Sequence, residues 1–399
     1  MRFTLRGARL VDATTDLPTG DVAVTDGVLA GVDEHLDASG PDVDLSDMIL
    51  TPGFIDIHTH GGGGFNLHTE APAEILSYAH WAPSTGLTSF LIAVVGVPDA
   101  LPESQVAAAA AACQRFAEGA EVGSVGAEPL GIFLEGPYIN VSRRGAHSAS
   151  WLRLPNLEEV DHLLDLAAGH LRLITIAPEL PGAPLAIRRL LEAGVTVSIG
   201  HTDATYEQAL EAIQLGITHA THCCNAMRPL LHRDPGPLGA IAQSPQVRGE
   251  LIADGVHVHP AMATIVTRIL GPDRTIVITD ALAGAGMEDA TFEFAGQPAH
   301  VERGAARLAD GTITGSVLTM DQALRNTLRM TRVSLPAAIA MQTLNPACAI
   351  HADDRKGRLR VGYDADVLLF SADLTLQATF CRGQLAFATD TWRDRLAVL

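Results

Sequence analysis

Over the first fifty residues, apolar and polar positions alternate in short runs (3–11 and 22–32), broken at Pro18, Gly20, Asp26-Gly27 and Gly40-Pro41. A period of two bounded by turn formers predicts short antiparallel strands and no helix. From Gly357 the same pattern returns over 358–361, 365–370 and 374–386, with a further turn at Arg382-Gly383. Two β-rich ends therefore flank a middle that reads differently. There, compact apolar runs fall at 49–57, 88–95, 130–134, 171–176, 195–199, 219–222, 250–253 and 275–278. Helical stretches lie between them, most plainly at 104–118, 157–168, 183–193, 206–215 and 261–270. Strand and helix in alternation build a parallel sheet, and eight such units match a (β/α)8 TIM barrel. No fixed-length repeat suggests a solenoid.

Composition narrows the class. The chain has 399 residues, 47% of them hydrophobic and 18% charged, which suits one folded barrel with an appendage. Its formal charge of −19 argues against a nucleic-acid backbone or an anionic membrane surface as partner. An anionic substrate would then need a local cationic site. Five scattered cysteines form no disulfide framework and no CxxC pair. The N-terminus lacks the apolar core of a signal peptide, and no run of about 18 apolar residues occurs. The expected location is the cytoplasm.

A barrel enzyme carries its chemistry just beyond the C-terminal ends of its strands. The first run leads into Asp56, His58 and His60, which strand alternation places on one face, followed by four glycines at 61–64. The third run ends at Glu135, the fifth leads to His201, the sixth ends at His222 and the eighth leads to Asp280. One Glu and two His from separate strands form a three-ligand set with room for water, suited to Zn2+ or Fe2+. Asp280 is placed to act as general base toward that water. Each residue alone has an ordinary structural reading, as a surface histidine or a strand-end ion pair. Six of them at strand ends point to a single site.

The segment Pro52-Gly-Phe-Ile-Asp-Ile-His-Thr-His60 resembles the strand-one signature of the amidohydrolase superfamily. Further motifs are Leu134-Glu-Gly-Pro-Tyr-Ile-Asn140 with Arg144-Gly-Ala-His147, Gly200-His-Thr-Asp-Ala-Thr205, Thr221-His-Cys-Cys-Asn-Ala-Met227, Ala253-Asp-Gly-Val-His257, Thr279-Asp280 and Gly315-Ser-Val-Leu-Thr-Met320. In this order they are similar to the N-acetylglucosamine-6-phosphate deacetylase family over nearly the whole chain.

The resemblance implies a barrel over 51–356 and a small β-sandwich assembled from 1–50 and 357–399. It implies that Glu135, His201 and His222 bind a divalent metal and that Asp280 is the acid/base. His147 would face the acetamide carbonyl. Ala146, His257, Asn225 and Ala226 would contact the substrate, with a loop over 313–315 that includes Ile313 and Gly315 lining the pocket. Arg233 would bind the phosphate, across a homodimer interface. With both histidines of the HxH pair present, a second ion held by His58, His60, Asp280 and a bridging Glu135 is a further expectation. The rivals are another amidohydrolase, acting on a cyclic amide or a different N-acetyl sugar, and a catalytically silent barrel. Cys223-Cys224 read as small strand-filling residues, and 61–64 as slack backbone beside the metal.

Overall fold

In the computed structural model, which describes every residue except 38–39, 120–124, 288–290, 295 and 303, the eight runs form eight parallel strands. These are β1 (Phe54–Thr59), β2 (Leu87–Val95), β3 (Glu128–Glu135), β4 (Leu171–Ile176), β5 (Thr196–Ile199), β6 (His219–Ala220), β7 (Arg248–Ile252) and β8 (Thr275–Ile278). They hydrogen-bond in chain order. The barrel closes between β8 and β1 through side chains and neighbouring backbone. Asp280 N donates to His58 O at 2.8 Å, and residues 341–342 bridge the lower seam by accepting from Val277 N and Ile55 N.

Alternation along the strands sorts two apolar faces. Leu91, Ala93, Phe133, Leu173 and Ile276 pack together on one face, whereas Phe90, Ile92, Ile132, Leu134 and Val197 pack against the helices. Five helices occur at the expected places, Glu103–Ala117, Leu157–Leu166, Ala183–Glu192, Tyr206–Leu215 and Pro260–Leu270. Tyr206–Leu215 starts at Thr205 because its side chain accepts from Gln208 N while the Gln208 side chain accepts from Thr205 N. Among the described residues no helix is long and apolar enough to cross a membrane.

The first run does not form one strand. It divides at Gly53, where an added Cβ would lie 2.1 Å from Thr88 Oγ1. Ile49–Pro52 pairs antiparallel with Val367–Phe370 and parallel with Arg2–Val11, while Phe54–Thr59 opens the barrel. The chain ends thus build a separate β-sheet domain, a single hydrogen-bonded network of eight strands with its own core of Phe3, Leu5, Leu10, Val24, Leu369 and Phe380. Trp392, on the unanticipated helix Asp390–Leu396, packs into the same core.

A buried ion network joins this domain to the strand-start end of the barrel. Lys356 Nζ lies 2.8 Å from Glu128, 2.8 Å from Asp364 and 2.6 Å from Asp366, and Arg355 bonds both Glu128 and Asp364. At the other end, the chain after β8 forms a four-stranded antiparallel sheet over Thr291–Phe294, Gln297–Glu302, Ala305–Leu308 and Ile313–Ser316. The pattern did not suggest this sheet. It makes 313–315 a strand rather than a loop.

Candidate active site

Glu135 ends β3, and its buried carboxylate stands at the centre of the site. Its Oε1 lies 3.0 Å from His201 Nε2 and 3.1 Å from His222 Nε2. Its Oε2 lies 3.3 Å from His60 Nε2 and 3.4 Å from His147 Nε2. Asp280 Oδ1 approaches His58 Nε2 at 3.4 Å and His60 Nε2 at 3.3 Å. His201, His222 and Asp280 adopt φ of 46°, 25° and 50°. Such left-handed backbone is uncommon outside glycine and costs about 1–3 kcal/mol per residue, a strain typical of functional sites.

Protonation follows from the neighbours. His201 Nδ1 donates to Arg143 O at 2.8 Å, which leaves Nε2 as a lone pair. That lone pair faces His222 Nε2 at 3.0 Å as well as Glu135. Imidazole nitrogens and a carboxylate oxygen converging in this way fit a divalent cation. His58, His60 and Asp280 form a second group whose ligand atoms lie within 4.8 Å of one another.

Burial opposes charge throughout the cluster. Even so, Glu250, Asp280 and Glu135 together raise His58 well above the ordinary imidazole range, and hydrogen bonds to Asp280 and Glu135 raise His60. Against the same burial, the charge of His58 and a hydrogen bond from His147 hold Glu135 well below the usual carboxylate range. His58 and His60 likewise lower Asp280. Burial wins at His147, whose pKa is lowered despite Glu135.

Two features depart from expectation. Asp56 does not share the face of His58 and His60. The pairing of β1 with β2 shifts register between Asp56 and Thr59, and the Asp56 carboxylate turns to the seam, where Thr279 Oγ1 donates at 2.5 Å. Burial pushes Asp56 up to about 7. Nor are the glycines at 61–64 slack. Gly63 N and Gly64 N donate to Ala285 O and Ala283 O at 2.8 Å, and a Cβ on Gly62 or Gly63 would fall within 2.5 Å of the Trp81 ring.

Glu250, by contrast, carried no functional reading in the sequence. This fully buried carboxylate on β7 lies beneath the cluster, 2.9 Å from His58 Nδ1 and 2.9 Å from His219 Nε2. A charged residue within an apolar run was the signal.

A cavity of about 720 Å³, open to solvent, rises from this cluster. Ala146, Asn225, Ala226, His257, Ile313 and Gly315 line it, as do His147 and Asp280. His257 is clamped by Asp254, whose Oδ2 lies 2.6 Å from Nδ1. Burial opposes a charge there, yet Asp254 raises its pKa. Arg233 is not brought to the cavity. It is exposed on the segment after Met227, beside exposed Leu230 and Leu231, and among the described residues no Lys or Arg lines the cavity. Cys223 is buried, as a strand-filling residue would be, but Cys224 is exposed.

A family model described as "Amidohydrolase family" matches residues 49–386. The chain belongs to the amidohydrolase family. Among amidohydrolases it is 34% identical to an N-acetylglucosamine-6-phosphate deacetylase of Lysinibacillus sphaericus, over 98% of this chain and 99% of the relative. An N-acetylgalactosamine-6-phosphate deacetylase of Escherichia coli O157:H7 is 35% identical over 97% of this chain and its own full length. A variant of the N-acetyl-D-glucosamine-6-phosphate deacetylase of Mycobacterium smegmatis, solved in complex with N-acetyl-D-glucosamine-6-phosphate, superposes with a TM-score of 0.89 at 33% identity. That superposition covers 97% of this amidohydrolase and 99% of the other chain.

Proposed function

We propose that this amidohydrolase deacetylates N-acetylglucosamine 6-phosphate to glucosamine 6-phosphate and acetate, in cytoplasmic amino-sugar metabolism. The carrying observation is the convergence of Glu135, His201, His222, His58, His60 and Asp280 beneath one cavity, in a chain alike end to end to deacetylases of phosphorylated amino sugars. Glu135, His201 and His222 would hold one divalent ion, with Zn2+ or Fe2+ suited to the donor set. His58, His60 and Asp280 would hold a second. Glu135 would serve both, since Oε1 faces His201 and His222 while Oε2 faces His60.

When bound, metal of this kind activates water and polarises a carbonyl. The chain's own residues do the rest. Asp280, at the floor of the cavity, takes the water's proton on its carboxylate and returns it to the departing amine nitrogen. His147, held neutral by burial, faces the acetamide carbonyl. His257, made more basic by Asp254, would face the sugar phosphate and donate a hydrogen bond to it. A cation is needed for that phosphate, and Arg233 of a dimer partner would provide it with bidentate hydrogen bonds.

Acetate release from N-acetylglucosamine 6-phosphate, measured beside unphosphorylated N-acetylglucosamine and N-acetylgalactosamine 6-phosphate, tests the assignment. The phosphorylated glucosamine derivative is expected to give the highest kcat/KM. Equal rates with the unphosphorylated sugar overturn the phosphate reading, and faster turnover of the galactosamine isomer overturns the epimer.

A further inference from the structure

We infer that Glu250 is the positioning residue that makes His58 a metal ligand and balances the charge of the second divalent ion. The inference rests on the two-ion reading above.

Glu250 is fully buried, and both of its oxygens are engaged. Oε2 lies 2.9 Å from His58 Nδ1 and accepts from His222 N at 2.9 Å, and Oε1 lies 2.9 Å from His219 Nε2. An ionised carboxylate only accepts, so Nδ1 of His58 keeps its proton. Nε2 is thereby the nitrogen that gives up its proton when a metal ion binds. That atom is buried without a hydrogen-bond partner and points between Glu135 Oε1, at 3.5 Å, and Asp280 Oδ1, at 3.4 Å. The edge of Phe133, with ring centroids 4.6 Å apart, limits the imidazole from one side. His58 is therefore preset for coordination through Nε2 by a carboxylate on β7, two strands away around the barrel. An outer carboxylate of this kind fixes the tautomer and raises the basicity of a ligating imidazole.

Charge leads to the same conclusion. Glu135, Asp280 and Glu250 bring three negative charges into a buried cluster whose cavity, among the described residues, is lined by no Lys or Arg. One divalent ion leaves a net negative charge. Two exceed the carboxylates by one, which suits a site whose nucleophile is an anion. Without Glu250 the second ion would bring a further uncompensated positive charge into a dry interior, where charge is costly.

Glu250→Gln keeps the shape and one accepting oxygen but removes the charge, so a purely structural residue would tolerate it. Apo-protein is titrated with zinc in a calorimeter, alongside circular dichroism of both proteins. The wild type is expected to take two equivalents. The variant is expected to bind the first within about threefold of wild type and the second at least tenfold more weakly, within the range such outer ligands command. An unchanged second step in the variant overturns the inference and leaves the two-ion reading standing. A single equivalent in the wild type overturns both. Should the variant fail to fold, nitrogen-15 histidine spectra of zinc-loaded wild type decide the matter: His58 must be protonated at Nδ1 and ligated at Nε2, and the opposite tautomer overturns the inference.

Discussion

Asp280 is held by two forces that a simple surface carboxylate lacks. Its backbone N is tied across the seam to His58 O at 2.8 Å, and His58 and His60 lower its pKa against burial. It is therefore ionised and fixed, as the base proposed above must be. Replacing Asp280 with Asn keeps the shape and removes the proton acceptor, so kcat should fall by about 10²–10⁴-fold. KM should change little, because a proton acceptor of the proposed kind contributes to the transition state. Steady-state assays of wild type and variant at equal metal loading check this, and a kcat within tenfold of wild type would sink the acid/base role. Asp280 was legible because it follows an apolar run, and the end of such a run marks the barrel mouth. Glu250 was not, since its partner His58 lies 192 residues away and only closure of the barrel brings them together. Asp56 was misread for a related reason: a register shift in β1 breaks the alternation from which its direction was inferred.

At the scale of elements, the short antiparallel pair Gly61–Gly62 and Phe65–Asn66 that follows β1 shows what the glycines at 61–64 do. Gly63 has φ 60° and its added Cβ would meet Trp81 Cδ2 at 2.4 Å, whereas Gly64 has φ 90° and meets only Met287 Sδ, at 3.7 Å. Alanine at Gly64 should therefore cost backbone strain alone, about 1–2 kcal/mol. Alanine at Gly63 adds an overpacking cost of about 1–3 kcal/mol and pushes the segment that carries His60. Urea unfolding of the two variants gives the comparison. Equal losses would mean that Trp81 moves aside freely and that the glycines serve only the turn. The strands and five of the helices were readable because each buries one face and so displays its period. The four-stranded sheet over Thr291–Ser316 was not, because its strands are half exposed and its apolar residues, such as Phe294 and Ala306, pack against Trp151 and Leu282 from other segments. A sheet defined by what it covers leaves little pattern in its own residues.

At the scale of the whole molecule, two junctions matter, one proposed and one observed, and neither lies within a single element. The first is the proposed dimer. If Arg233 serves the partner's cavity, Arg233→Ala and Asp280→Asn subunits, each nearly inactive alone, should regain up to about a quarter of wild-type activity when refolded together, since mixed dimers hold one intact site. No recovery would place Arg233 outside the partner's site. The second junction is the ion network between barrel and terminal sheet. Burial works to raise the Glu128 pKa, but Arg355 and Lys356 lower it from 4.5 to about 2. A carboxyl depressed on folding contributes stability above its unfolded pKa and loses it as pH falls toward the folded value. For Glu128 that window runs from about pH 4.5 down to about pH 2. At about 1.4 kcal/mol per unit the contribution is on the order of 3 kcal/mol, and a side chain only 19% exposed is little screened by solvent. Glu128→Gln removes the titration. Its stability deficit relative to wild type should be nearly full at pH 5 and should shrink by more than half at pH 3, measured as the difference in urea unfolding free energy. A deficit that stays constant between those pH values would mean that Glu128 acts through its shape and hydrogen bonds, and that its charge does not hold the terminal sheet to the barrel.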